Sequence, residues 1–147
     1  MPLMNLHSAP AFSEFSGGRA GQAYNEPAFR YFLSVDRSRA LRAQRALYLV
    51  LVAVREGTGR RAKLTNSTAT AVFEGLSASV REVDFVGWYQ EGHVAAAVLT
   101  QGVKAPTGQV ATVIAARVRS ELSKRLGDVQ AGNLRVRALR LGGRADG

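Results

Sequence analysis

The sequence predicts an α+β domain with a central antiparallel sheet and helices packed on it, in the element order β-α-α-β-β-α-β. Three observations predict it. The apolar period switches along the chain between about 3.6 and 2 residues. Two strand-like runs flank the short turn Gln90-Glu91-Gly92. The last patterned segment, Leu134 to Leu141, alternates apolar and basic residues as a half-exposed strand does. Helices mixed in this way around a hairpin favour a sandwich with the helices on one face of the sheet.

Residues 1–27 are mostly small, polar, glycine or proline, with Ala9-Pro10 and Ser16-Gly17-Gly18 as breakers. They are expected to form a flexible N-terminal arm, with the folded domain over 28–142 and a disordered tail over 143–147. Phe29 to Val35 is aromatic and β-branched enough for a strand, and the D-R-S-R after it supplies helix-start residues. A helix is then predicted from about Ser38 to Arg55, with Leu47, Val50, Leu51 and Val54 on one face. The run Leu-Tyr-Leu-Val-Leu-Val fits a buried strand as well. Gly57 to Lys63 reads as a basic loop.

Asn66 or Ser67 is placed to cap a second helix, in which Ala69, Val72, Phe73, Leu76 and Val80 recur at helical spacing. Asp84–Tyr89 and His93–Thr100 form the hairpin. The Gly102–Gly108 segment, with Pro106, breaks the chain before Thr107 starts a third helix. Val110, Val113, Ile114, Val118 and Leu122 give that helix its apolar face, and Gly127 ends it.

Composition bounds the chemistry. At 147 residues, 46% apolar and 21% charged, the chain is expected to form one globular domain with its own core. Without cysteine there is no disulfide, thiolate metal site or cysteine nucleophile. The longest aliphatic run, Ala46 to Val54, falls well short of the ~20 residues of a spanning helix, and the N-terminus lacks the pattern of a secretory signal. A cytoplasmic location is the expectation. A net charge of +9 favours an anionic partner, although a solvated arginine-rich surface explains the same charge. Nucleic acid is not the expected partner, because no RNA or DNA motif accompanies the charge.

R-E-V-D-F-V-G-W-Y, from Arg81 to Tyr89, opens the hairpin, and V-I-A-A-R-V-R-S-E-L follows it. With the element order, these segments resemble the GGDEF domain family, the diguanylate cyclase relatives with a ferredoxin-like nucleotidyl-cyclase palm, over about Phe29 to Gly142. In that family an Arg-x-x-Asp pair stands five residues before Gly-Gly-Asp-Glu-Phe. Here Arg81 and Asp84 take the place of the pair, and the signature turn reads Gln90-Glu91-Gly92-His93-Val94.

The resemblance implies metal-dependent condensation of GTP to cyclic di-GMP, which needs carboxylates held together around two cations. Asp36, at the end of the predicted first strand, matches the first metal aspartate of the family. The next acid is replaced by Ser38, the following Phe-Lys and Asn-Asp by Ala40-Leu41 and Gln44-Arg45, and the signature acids by Gly92 and His93. The expectation is a degenerate domain with no cyclase activity, catalytic residue, metal or cofactor. Arg37, Arg39, Arg42 and Arg45 are expected around the former metal position, as an anion-binding group or as a solvated helix face.

The resemblance further implies a cyclic di-GMP site in which Arg81 donates to guanine O6 and N7 while Asp84 accepts from N1–H and the amino group. Stacked ligand dimers need another arginine, for which Arg55, Arg60, Arg61, Arg117 and Arg119 are the auxiliary candidates. Without ligand, Arg81 has a second use at a helix C-terminus, paired with Asp84 or Glu82. Two functions follow: a cyclic di-GMP receptor or regulatory module, or a nucleotide-independent protein–protein interaction domain. A partner protein is expected in both, and a homodimer is compatible with the family. A full family domain adds a helix and a strand after the last strand seen here. His93 reads as a hairpin residue free to vary, and with the distant His7 it makes no zinc site. One of Trp88 and Tyr89 must point into the core if both lie on a strand.

Overall fold

Asn25 and Pro27 begin the first helix. The Asn25 side chain accepts from the Ala28 N–H at 3.0 Å, and Pro27 occupies the first turn, where its missing N–H is not needed. The computed structural model describes residues 12–14, 22–56, 59–79, 83–100 and 108–142. Within them, helix α1 runs Glu26–Arg42 and buries Ala28, Phe29 and Ala40. The predicted strand Phe29–Val35 is therefore helical: Phe29, Phe32 and Leu33 recur at helical spacing, and a capped start outweighs their β preference. The helix closes as the Ala43 N–H returns to the Arg39 carbonyl at 3.0 Å, and Gln44 turns the chain at φ 57°.

Strand β3 follows at Leu47–Val54. The helix predicted over Ser38–Arg55 is thus divided between the last turns of α1 and a strand. β3 is covered on both faces, so it is apolar at every position, and any unbroken apolar run contains a helical face by coincidence.

Around β3 the sheet has six strands in the order β1-β2-β4-β5-β3-β6. The others are β1 Phe12–Glu14, β2 Gln22–Tyr24, β4 Val83–Gln90, β5 Val94–Leu99 and β6 Leu134–Leu141. β2 runs parallel to β4, and the remaining neighbours are antiparallel. Two strands and the start of α1 fall inside the segment expected to be an arm. The tail over 143–147 lies outside the described residues.

Helices α2 (Asn66–Ser79) and α3 (Val110–Arg125) bury Val72, Phe73, Leu76, Ile114, Val118 and Leu122, as their periodicity predicts. The α2 start is capped by Thr65, whose hydroxyl accepts from the Thr68 N–H at 3.2 Å, just ahead of the expected Asn66 or Ser67. A short α4 (Asp128–Gly132), absent from the sequence reading, leads into β6. The architecture is α+β as predicted, but with helices on both faces rather than one. α2 and α3 cover the face carrying Tyr48, Val50 and Val52, where Trp88 meets Phe73 edge-on at 5.0 Å. α1 covers the opposite face over Leu47, Leu49, Ala96 and Val98. No helix among the described residues is long and apolar enough to cross a membrane.

Candidate functional site

At one end of the sheet, α1 and the start of β4 enclose a cleft of about 230 Å³ lined by Asp36, Arg39, Ala40, Arg45, Asp84 and Thr100. Asp36, Arg39 and Ala40 come from one face of α1, at i, i+3 and i+4. Arg45 follows the turn that ends the helix, its N–H bonded to the Ala40 carbonyl at 2.8 Å. Asp84 sits where the β4–β5 register shifts between Val83 and Phe85, an irregularity that leaves it exposed.

The two carboxylates repel. Burial pushes the Asp36 carboxyl above its ordinary range, the Asp84 charge adds to the rise, and Arg39 partly offsets it. Among the described residues, neither Arg39 nor Arg45 has a carboxylate within ion-pairing distance. The cleft therefore offers acceptors and strong donors side by side, which suits a planar group carrying both.

Asp36 is not the strand-end residue that the sequence suggested. It lies within α1, as does Ser38, so matching these positions to the metal ligands of the family fails with the misplaced strand. The strand that does end beside the hairpin turn is β3, and it ends in Val52-Ala53-Val54 without an acid. Among the described residues no three His, Asp or Glu side chains are grouped to hold a metal ion. Arg37, Arg39, Arg42 and Arg45 likewise belong to α1 and its exit, and of the four only Arg39 and Arg45 reach the cleft.

The signature turn has its own network at the opposite end of β4. The Gln90 carbonyl accepts from the His93 N–H at 2.9 Å, and Gly92 supplies the positive φ of 77° that the turn requires. The Gly92 carbonyl accepts from the Leu64 N–H at 2.8 Å. Glu91 and Glu26 bond reciprocally: the Glu91 carboxylate accepts from the Glu26 N–H at 2.9 Å, and the Glu26 carboxylate accepts from the Glu91 N–H at 2.8 Å. A carboxylate at a helix N-terminus satisfies an orphan donor and faces the positive end of the dipole. Arg30 adds a bond to the Tyr89 carbonyl at 2.6 Å and lies 4.2 Å from the centre of the Tyr89 ring. Arg61 donates to the Gln90 side chain at 3.0 Å, and the His93 ring stands 3.0 Å from the Glu91 carbonyl. The one acid of this turn is thus engaged in holding α1. Trp88 points into the core beneath α2 and α3, while Tyr89 points to the opposite face, half-buried against the α1-covered core and beneath Arg30.

Of the predicted ligand pair, the structure places Asp84 in the cleft; Arg81 lies outside the described residues. None of the auxiliary arginines lines the cleft. Arg55 and Arg61 bridge beyond the far end of β3, with Arg60 beside them, about 23 Å along an eight-residue strand from the cleft end. Arg119 on α3 donates to the Leu134 carbonyl at 3.4 Å, also at that far end, and Arg117 is exposed. Sequence reasoning missed Arg39 and Arg45 as partners of Asp84. Their signal is the i, i+3 spacing of Asp36 and Arg39, which has meaning only once that segment is a helix.

No protein-family model matches the sequence, and no curated protein does. Solved structures do. A diguanylate cyclase (DGC) protein from Thermotoga maritima superposes with a TM-score of 0.57 at 15% identity, over 82% of this chain and 82% of that one. The chain has the fold of a GGDEF domain. The GGDEF domain of FimX from Pseudomonas aeruginosa gives 0.55 at 14% identity, over 90% of this chain and 83% of that one. The GGDEF domain of DgcB from Caulobacter crescentus, solved in complex with c-di-GMP, gives 0.52 at 16% identity, over 85% of this chain and 73% of that one. At such identities the likeness is one of fold, and this GGDEF-like domain shares the cyclase palm while its turn reads Gln90-Glu91-Gly92-His93-Val94.

Proposed function

We propose that this GGDEF-like domain is a cyclic di-GMP receptor that makes no cyclic dinucleotide, and that it takes a guanine base into the cleft of Asp36, Arg39, Arg45 and Asp84. The observation that carries the reading is the meeting of two carboxylates, Asp36 and Asp84, with two arginines, Arg39 and Arg45, in one cleft. Guanine presents donors at N1–H and its amino group and acceptors at O6 and N7, so carboxylates and guanidiniums satisfy its two edges together. Donors from the base also relieve the repulsion between Asp36 and Asp84. On this reading Arg81, three residues before Asp84, supplies a further donor to the ligand. The c-di-GMP complex of the Caulobacter relative supports the ligand class. The absence of synthesis is supported by the turn itself, whose single carboxylate caps α1 rather than standing free to hold a cation.

Calorimetric titration with cyclic di-GMP tests the receptor reading. Saturable binding is expected, weakened at least tenfold, or about 1.4 kcal/mol, by Asp84→Ala and by Arg39→Ala, and unchanged by Arg117→Ala. A wild-type protein that gives no binding heat at high ligand concentration overturns it. Incubation with GTP and Mg²⁺ or Mn²⁺ is expected to give no cyclic dinucleotide, and detected product overturns the assignment of the turn.

A further inference from the structure

At the far end of the sheet from the cleft, four arginines share one face. Opposite residues of an antiparallel pair face the same way, and the β3–β6 register sets Arg137 opposite Leu51 and Arg135 opposite Ala53. Arg55 continues that face beyond β3 and bridges Arg61 across a tight turn. Neighbours in this array stand roughly 5 Å apart across strands and roughly 7 Å apart along them.

α1 covers this face over Leu47 and Leu49, and Leu51 packs at the margin of the same cluster. There Leu51 and Ala53 are half-buried and Arg135 and Arg137 exposed, a short aliphatic strip rimmed by guanidiniums. Among the described residues, the side chains of Arg61, Arg55 and Arg135 donate to neutral oxygens, on Gln90, Gly59 and Leu134. Among the described residues none of the four arginines has a carboxylate within ion-pairing distance. Four cations gathered on one face without a carboxylate partner favour an anionic surface laid over them.

We infer that this half of the sheet is a docking surface for an acidic amphipathic segment of another protein, independent of nucleotide binding in the cleft. The aliphatic strip selects a partner with apolar side chains at its centre, and the arginines select carboxylates on its flanks. Another copy of this chain is disfavoured by its charge of +9, and residues 1–11 and 15–21 contain no acid that would let them cover the face from within. Single-stranded nucleic acid stacks its bases on aromatic side chains, and this strip is aliphatic.

The probe is a fluorescent 20-residue helical peptide with leucines on one face and glutamates on both flanks, titrated by anisotropy against the full chain. Saturable binding is expected, at least tenfold weaker for Arg135→Glu/Arg137→Glu, unchanged for Arg117→Glu on α3, and weaker at higher salt. Circular dichroism checks the fold of each variant, and Arg135→Gln/Arg137→Gln gives the same ordering if the glutamates disturb it. No saturable binding, equal loss in Arg117→Glu, or tighter binding of a 20-base-pair DNA duplex than of the peptide overturns the inference.

Discussion

Asp36 carries a conflict that substitution exposes. A carboxyl whose folded pKa lies above its unfolded value binds its proton more strongly in the native state, so its protonated form favours the fold and its ionised form opposes it. Stability from this group is present in acid and is lost as pH rises through the acid range into its raised titration. Asp36→Asn is therefore expected to hold or raise the melting temperature at pH 7, by a few degrees at most, and to lose that advantage near pH 4. Thermal melts at the two pH values check this, and a lower melting temperature at pH 7 contradicts it. On the proposed function, guanine binding has the opposite preference, because donors from the base need ionised acceptors.

The hairpin turn serves as a cap for α1, a use of its glutamate that family resemblance does not suggest. Glu91→Ala removes the acceptor of the Glu26 N–H and is expected to cost about 1 kcal/mol. Urea denaturation measures it, and an unchanged midpoint shows that Asn25 suffices alone. β4 adds its own constraint at Gly87, where a Cβ would stand 2.7 Å from the Tyr24 carbonyl, so the parallel β2–β4 contact depends on a missing side chain. Elements with local punctuation were legible in the sequence. α2 and α3 have one apolar stripe each, the hairpin has a turn glycine, and β6 alternates. α1 and β3 were not, because Pro27 resembles a loop residue as much as a first-turn residue, and β3 has no polar face to mark its period.

Across the whole molecule, the sheet separates two chemistries. Its cleft end sets carboxylates beside arginines. At its far end the carboxylates of Glu26 and Glu91 are engaged with each other's backbone N–H, and Arg55, Arg61, Arg135 and Arg137 are left without ion pairs among the described residues. The palm fold was legible through the hairpin and its flanking helices. The cleft was only half legible: Asp84 lies in the recognised motif, but Arg39 and Arg45 reach it through the packing of α1, which no local pattern near Asp84 encodes. The reciprocal bond between Glu26 and Glu91 spans 65 residues of sequence. During synthesis at ~5–20 residues per second, α1 therefore waits roughly 3–13 s for its second cap to be translated. Until then it depends on Asn25, and the nascent helix cannot be fastened to its sheet before the hairpin has been made.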